Sequence, residues 1–277
     1  MLVPMKQVTV IKNNFSILNA PNGTAIVIGN FDGVHKGHQA LLEKLARVSK
    51  SKSLTPCVYT FYPHPKKFFK RLDAPKKLMS LEQKISKLAL FGAEVVVVKP
   101  FNLALSSLTF EEYIQHLKND LNVKCIIVGE DFVFGKGRSG NAEKLKELAP
   151  EYGFEVEIIE DVIEKNGLRY SSTQVRERLI EGNVKDAGLE LGEPVTYKTY
   201  LYEDDYCNLI AHLSGYSPIK KGVYFAKVQY TDDPQGYEPV VVPVTIKGDK
   251  AFIAPLAEMP DLKEGRVYLS LIDNIEK

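Results

Sequence analysis

The sequence predicts an α/β fold, a parallel sheet covered by helices, followed by a small all-β, barrel-like module. Three observations carry this. Apolar runs alternate with helical patterns through the first 190 residues. Those runs are continuously apolar, as strands buried on both faces are. After Leu191-Gly192-Glu193-Pro194 the helical patterns stop, and short β-like runs follow, separated by Pro, Gly and Asp-Asp turns. The chain is therefore expected to divide into residues 1–190 and 191–277.

The first strand is Ala25–Ile28. The segment from Gln39 to Ser49 then puts Leu41, Leu42, Leu45 and Val48 on one helical face. Further strands are read at Cys57–Phe61, Val95–Val98, Cys125–Val128 and Val156–Ile159, with helices at 81–91, 110–118 and 142–149. Thr109 followed by Glu112 is a capping-box signature for the third helix. Residues 172–190 read as two short helices broken near Gly182-Asn183. Strands Tyr197–Tyr202, Gly222–Tyr230, Val240–Ile246, Lys250–Ala254 and Arg266–Ile272 complete the second module.

Composition narrows the setting. The chain is 44% hydrophobic and 26% charged, which fits a globular protein rather than a disordered one. Cys57, Cys125 and Cys207 are far apart and show no C-x-x-C spacing, so they read as core residues, not a disulfide framework. No secretory leader or membrane span is expected. A cytoplasmic protein is the simplest reading. Residues 191–277 carry 9 Lys and Arg against 13 Asp and Glu, whereas residues 1–190 carry 27 against 22. That mild excess suits a small polyanionic substrate. It is too sparse for nucleic acid, which is met by a denser basic face.

The most informative segment is Gly29-Asn30-Phe31-Asp32-Gly33-Val34-His35-Lys36-Gly37-His38. It joins a buried strand to a helix, where open α/β sheets bind phosphates. Gly29 and Gly37 allow close backbone approach. Two of the five histidines fall here and can donate hydrogen bonds to phosphoryl oxygens, more strongly when protonated. An ordinary loop is the alternative. No Cys cluster or His-x-x-x-His helix stands nearby, so no dedicated metal site is expected.

Three other segments follow strands or open a helix. Phe61-Tyr62-Pro63-His64-Pro65 is a stiff loop whose aromatic and histidine suit a planar ligand; the alternative is a Pro-rich turn. Gly129–Asn141 contains Asp131, Phe132, Phe134, four glycines and two cations. A mobile loop of this kind closes over ligands, unless its phenylalanines simply pack inward. Tyr170-Ser171-Ser172-Thr173-Gln174-Val175-Arg176 opens a helix with hydroxyls, one turn before Arg176. Ser172 and Thr173 add donors, and Arg176 a planar positive fork, for a phosphate; a mere cap is the alternative.

His-x-Gly-His followed far downstream by Ser-Ser-Thr-x-x-Arg resembles the nucleotidylyltransferase superfamily. With the segments 29–38, 61–65, 129–141 and 171–176 together, the chain resembles bacterial FAD synthetase. That enzyme is usually the N-terminal half of a bifunctional riboflavin kinase/FMN adenylyltransferase. The resemblance runs over residues ~20–190, including Leu81–Lys84 and Phe101–Tyr113. It implies a Rossmann-like domain that transfers AMP from ATP to FMN, giving FAD, with Mg²⁺ carried by ATP. It further implies that His35 and His38 contact the ATP phosphates. Ser172, Thr173 and Arg176 would hold the departing phosphates, and Gly29, Asn30, Phe31, Asp32 and Gly37 the nucleotide. Asp32 alternatively braces the turn. The flavin ring would lie between the Phe61, Pro63, His64 loop and the Asp131, Phe132, Phe134 region.

The second module departs from the family. Its kinase mark, a Gly-rich stretch ending in Gly-Phe-Pro-Thr-Ala-Asn, has no counterpart in Tyr197–Leu209. Lys221-Gly222-Val223-Tyr224 resembles the barrel strand that follows, and Asp261–Val267 faintly resembles the closing one. The family's C-terminal helix has no counterpart before Lys277. The module is thus expected to be a degenerate riboflavin-kinase-like barrel without kinase activity. A chain ending near Leu191 is expected to retain some FAD synthesis, since the four site segments lie upstream, but with lower stability and with newly exposed apolar surface that favours aggregation. The alternatives are a bifunctional kinase/synthetase, another nucleotidylyltransferase with a pantetheine, nicotinamide or glycerol phosphate acceptor, and a non-catalytic flavin-binding regulator.

Overall fold

The computed structural model describes residues 8–12, 18–69, 74–160, 162, 167, 169–205, 208–231, 238–253 and 262–275. Cys207, Ala254 and Asp261, which figure in the sequence reading, lie outside them. Two compact units are present: Met1–Ala74 with Lys84–Arg169, and Pro75–Gln83 with Tyr170–Lys277.

The first unit is built on a parallel sheet. Its strands are β1 (Thr9–Ile11), β2 (Thr24–Ile28), β3 (Thr55–Phe61), β4 (Val95–Lys99), β5 (Val123–Gly129) and β8 (Glu155–Ile159), in the order β1-β4-β3-β2-β5-β8. The five expected strands are present. β1 adds a sixth at the edge, pairing parallel with Val95–Val97. Its three residues are too few to show a period. From β2 the chain builds outward through β3 and β4, then returns to place β5 on β2's other side. The strand order thus reverses between β2 and β5, the point where open α/β sheets take ligands at their carboxyl ends.

Helices α1 (Lys36–Lys52), α2 (Pro65–Phe68), α3 (Leu81–Leu90), α4 (Leu103–Ser107), α5 (Phe110–Leu121) and α6 (Ala142–Tyr152) connect these strands. Ile26, Ile28, Cys57, Tyr59, Val95, Val97, Ile126 and Val128 share one core with Ile114, Leu117 and Leu121 of α5 and with Leu145 and Ala149 of α6. The alternate strand residues Val27, Val58, Val96 and Ile127 are also fully buried. Strand alternation points them to the other face. There α1 packs on β2, β3 and β5 with Leu42, Leu45 and Val48 buried. The Thr109 capping box forms: Glu112 N–H donates to Thr109 Oγ1 at 3.2 Å, and Thr109 N–H to Glu112 Oε2 at 2.8 Å.

The second unit holds a closed antiparallel barrel of β9 (Val195–Glu203), β10 (Leu209–His212), β11 (Gly222–Tyr230), β12 (Val240–Lys247), β13 (Lys250–Ile253) and β14 (Gly265–Asn274), ordered β10-β13-β12-β11-β14-β9. β10 is too short, at four residues, to show a strand period in sequence. Tyr197, Leu201, Ala211, Tyr224, Ala226, Val244, Ile246, Ala251 and Leu269 fill its core. That core also takes Val175 and Leu179 of α7 (Ser172–Glu181), and Val184, Ala187 and Leu191 of α8 (Val184–Leu191). The change of texture near residue 190 marks where helices give way to strands. Compactness divides the chain earlier, because α7 and α8 bury their apolar faces with the barrel. Leu78 joins the same core, and Ser217 N–H donates to the Lys77 carbonyl at 2.8 Å.

Candidate functional site

In the first unit, the carboxyl end of β2 runs into a tight turn. Phe31, Gly33 and Val34 have φ of 49°, 84° and 46°. Positive φ is strained for a phenylalanine and more so for a β-branched valine. Both side chains are fully buried, so core packing holds the strain. His35 is the N-cap residue of α1, and the helix begins at Lys36 rather than Gln39. His38 therefore lies in the first helical turn.

The rings of His35 and His38 stack, with centroids 3.7 Å apart and planes at 30°. Phe31 also lies beside His38, centroid to centroid 5.0 Å and tilted at 52°. His38 Nδ1 is buried and has no hydrogen-bond partner among the described residues. Burial holds the His38 imidazole well below its ordinary pKa, helped by His35, Lys84, Arg169 and Lys87. Desolvation thus disfavours the charged form of this ring. The Asn30 side-chain oxygen is likewise buried without a partner among the described residues.

Lys84 and Lys87 of α3 were not singled out as site residues from sequence. Both are buried at 7% exposure. Lys84 Nζ donates to the Asn30 carbonyl at 2.9 Å and to Thr60 Oγ1 at 3.2 Å. Burial draws its ammonium down to about 8, against the pull of Asp32. Lys87 Nζ reaches the Gly33 carbonyl at 3.4 Å. On a helical pattern such lysines read as solvated. Only the fold shows that they face the turn.

The loop after β3 begins at Phe61, which packs edge-on against Tyr59 and Phe101. The Tyr62–Pro63 peptide is cis. His64 N-caps α2, its Nδ1 accepting from the Lys66 N–H at 3.2 Å. Phe101 is met edge-on by Phe61, Phe68 and Phe69, so an aromatic cluster borders this loop.

The segment after β5 holds a short hairpin of β6 (Val133–Phe134) and β7 (Gly140–Asn141), bridged by a 3-10 turn at Lys136–Arg138. Phe134 anchors it, buried at 7% exposure, against Tyr113 at 5.3 Å. Phe132 stacks on Phe134 at 5.4 Å and 18°. The Asp131 carboxylate accepts from Arg169 Nη2 at 2.8 Å. Asp131 and Phe132 thus stay at the surface side of the hairpin while Phe134 turns into the core.

Ser172, Thr173 and Arg176 belong to the second unit. Ser171 is the N-cap of α7, its hydroxyl accepting from the Gln174 N–H at 3.1 Å. That puts Ser172 and Thr173 in the first turn, half-buried and exposed. Arg176 Nη1 donates to the Ser172 carbonyl at 2.8 Å and Nε to the Lys76 carbonyl at 3.1 Å. The guanidinium is therefore anchored beside the start of the helix. No acidic residue lies in that first turn, so nothing there opposes an anion.

A family model described as FAD synthetase matches residues 17–174, which include His35, His38, Ser172 and Thr173. The chain is 34% identical over 218 residues to a bifunctional riboflavin kinase/FMN adenylyltransferase of Buchnera aphidicola subsp. Schizaphis graminum, covering 75% of this chain and 69% of that protein. It is 34% identical over 227 residues to the protein of the same name from Escherichia coli (strain K12), covering 79% and 72%. Among solved structures it resembles one titled a macrolide-efflux protein from Streptococcus pneumoniae, at 25% identity and a TM-score of 0.81, covering 97% of this chain and 100% of that one. No helix among the described residues is long and apolar enough to cross a membrane.

Proposed function

This chain belongs to the FAD synthetase family, and from that premise we propose that it is an FMN adenylyltransferase without riboflavin kinase activity. ATP and FMN react to give FAD and pyrophosphate. A phosphate oxygen of FMN attacks the α-phosphorus of ATP, the bond from that phosphorus to the bridging oxygen breaks, and pyrophosphate leaves. The nucleophile is already ionised, so no strong general base is required. Catalysis then rests on positioning and on charge stabilisation.

The stacked His35–His38 pair at the strand-order reversal is the observation that carries this reading. His35 and His38 are the proposed donors to ATP phosphate oxygens. A neutral His38 donates from one ring nitrogen, and an arriving polyanion raises its pKa and strengthens that bond. Gly29, Asn30, Phe31, Asp32 and Gly37 are proposed to hold the nucleotide. Ser172, Thr173 and Arg176 are proposed to hold the departing phosphates, supported by their place at an α7 start with an anchored guanidinium. For the flavin, Phe61, Pro63, Asp131 and Phe132 are proposed contacts. His64 and Phe134 act through the loops that they cap and anchor.

Mg²⁺, when bound with ATP, supplies further charge neutralisation. Asp32 is the carboxylate of the turn. The ion is proposed to be carried mainly by ATP oxygens and water.

Loss of kinase activity is proposed although the relatives carry a bifunctional name. The support is the missing Pro-Thr-x-Asn element in Tyr197–Leu209, together with a barrel core filled by apolar side chains. A cytoplasmic setting is proposed, supported by the buried free thiols Cys57 and Cys125. The test is to incubate the purified chain with Mg-ATP and either FMN or riboflavin and to separate the flavins. FAD from FMN, with nothing from riboflavin, is expected. FMN from riboflavin would restore the bifunctional reading.

A further inference from the structure

The strained turn of the first unit is held from beneath by two buried cations. Lys84 grips the Asn30 carbonyl, and Lys87 reaches the Gly33 carbonyl. These carbonyls belong to the peptide units that lead into Phe31 and Val34, the two non-glycine residues of the turn with positive φ. In a trans peptide the C=O and N–H point in opposite directions. Drawing the Asn30 carbonyl toward α3 therefore turns the Phe31 N–H away from α3, and Lys87 does the same for the Val34 N–H. Both residues are fully buried, and neither N–H makes a backbone–backbone hydrogen bond among the described residues. Buried N–H groups without partners are rare. Donors displayed by left-handed backbone form concavities that accept anionic oxygens.

The Asn30 carbonyl does not need a lysine to be satisfied, because Thr60 Oγ1 already donates to it at 3.1 Å. A buried ammonium is costly to desolvate, and the groups it touches here are a carbonyl and a hydroxyl. Asp32 offsets part of that charge, and a polyphosphate bound above the turn would offset more.

We propose that Lys84 is a positioning residue for phosphoryl transfer: its ammonium locks the Asn30–Phe31 peptide so that the Phe31 N–H is presented to a phosphate oxygen, with Lys87 as a weaker second lock on the Val34 N–H. This rests on the adenylyltransferase reading above. Lys84 touches the turn and acts through it.

The test uses the full chain. Lys84→Met keeps the apolar stem and removes the charge, and Thr60 still serves the Asn30 carbonyl. Turnover with Mg-ATP and FMN, FMN affinity by flavin fluorescence, and thermal melting are measured together. A kcat lower by about 100-fold, with FMN affinity and melting temperature preserved, is expected from misplaced donors. Thr60→Val removes the hydroxyl but leaves the cation, and is expected to lose far less. Wild-type turnover in Lys84→Met overturns the proposal. So does a Thr60→Val loss as large as that of Lys84→Met. A Lys84→Met protein that melts early and loses FMN affinity together with turnover shows a structural role and overturns it too. Should Lys84→Met fail to fold, Lys84→Gln, a neutral donor, is put through the same measurements. If the wild-type chain forms no FAD, the adenylyltransferase reading fails separately. Calorimetry with magnesium pyrophosphate then tests the lysine alone: weaker binding by Lys84→Met is expected, and equal binding overturns it.

Discussion

His35 stacks on His38 with ring centroids 3.7 Å apart. At that separation two imidazolium ions would repel strongly, and the cations Lys84, Lys87 and Arg169 act on His38 in the same sense. Together with burial, these charges hold the His38 imidazole well below its ordinary pKa. His38→Ala removes one donor, the stacking partner of His35 and the ring beside Phe31. The expected outcome is a folded protein whose FAD formation is about 100-fold slower or worse. Near-normal turnover by a folded His38→Ala protein would remove His38 from the mechanism.

The depressed His38 pKa also makes a stability prediction. Its folded value lies below the unfolded value of about 6.5. Between the two, the unfolded chain binds more protons, so stability falls as pH drops below ~6.5 and is fully present above it. His116 is lowered as well, by burial and by Lys99, so the difference between two proteins is the useful quantity. Urea unfolding at several pH values should show a shallower acid slope in His38→Asn than in wild type. Parallel slopes would assign the effect elsewhere.

Arg176→Lys is expected to behave as a damaging change. Arg176 uses separate guanidinium nitrogens on the Ser172 and Lys76 carbonyls. A lysine ammonium is a point charge that cannot copy this fork and still face an anion. Losing charge-assisted bonds of this type predicts an apparent ATP affinity about tenfold weaker or more. FMN affinity should be little altered. Superimposable ATP titrations for the two proteins would make Arg176 structural only.

Much of this site can be read in the sequence, for identifiable reasons. His35 and His38 stand out because histidine is scarce and their turn follows an unbroken apolar strand. The Thr109–Glu112 box was visible because capping depends on neighbours close in sequence. Lys84 and Lys87 were not visible as site residues, because a helical lysine reads as solvated until the fold reveals which carbonyl it meets. The same limit hid the Gly129–Asn141 hairpin. Its glycines give no sign of it, whereas the packing of Phe134 on Tyr113 is a contact between distant segments.

That hairpin gives a sharp prediction at Gly140. A Cβ there would lie 2.6 Å from the tip of the Phe134 ring and 2.7 Å from its edge. Phe134 is wedged against Tyr113 and cannot simply retreat. Gly140→Ala should therefore destabilise the protein by about 1–3 kcal/mol, the usual range for overpacking. It should also weaken FMN binding if Phe132, stacked on Phe134, contacts the flavin. Chemical denaturation and a flavin titration measure the two effects independently. An unchanged unfolding midpoint would mean that the hairpin yields without cost.

The last prediction concerns a fragment ending near Leu191. The four site segments all lie upstream of Leu191, which suggested that a fragment ending there would keep some FAD synthesis. The core of the second unit argues otherwise. Leu78, Val175, Leu179, Val184, Ala187 and Leu191 are buried in one cluster with Val195, Tyr197, Leu201 and the barrel interior. Cutting at Leu191 strips the partners from α7 and α8 and exposes these side chains. Short helices are marginal without tertiary packing, and the newly exposed apolar surface favours aggregation. Ser172, Thr173 and Arg176 would lose the helix that positions them. A 1–191 fragment is thus expected to be poorly soluble and to make little or no FAD, even if residues 20–169 keep their sheet. Limited proteolysis and circular dichroism of the fragment, beside its FAD synthesis, test this. A soluble fragment with α7 protected and turnover near that of the full chain would show that the helix holds its place without the barrel.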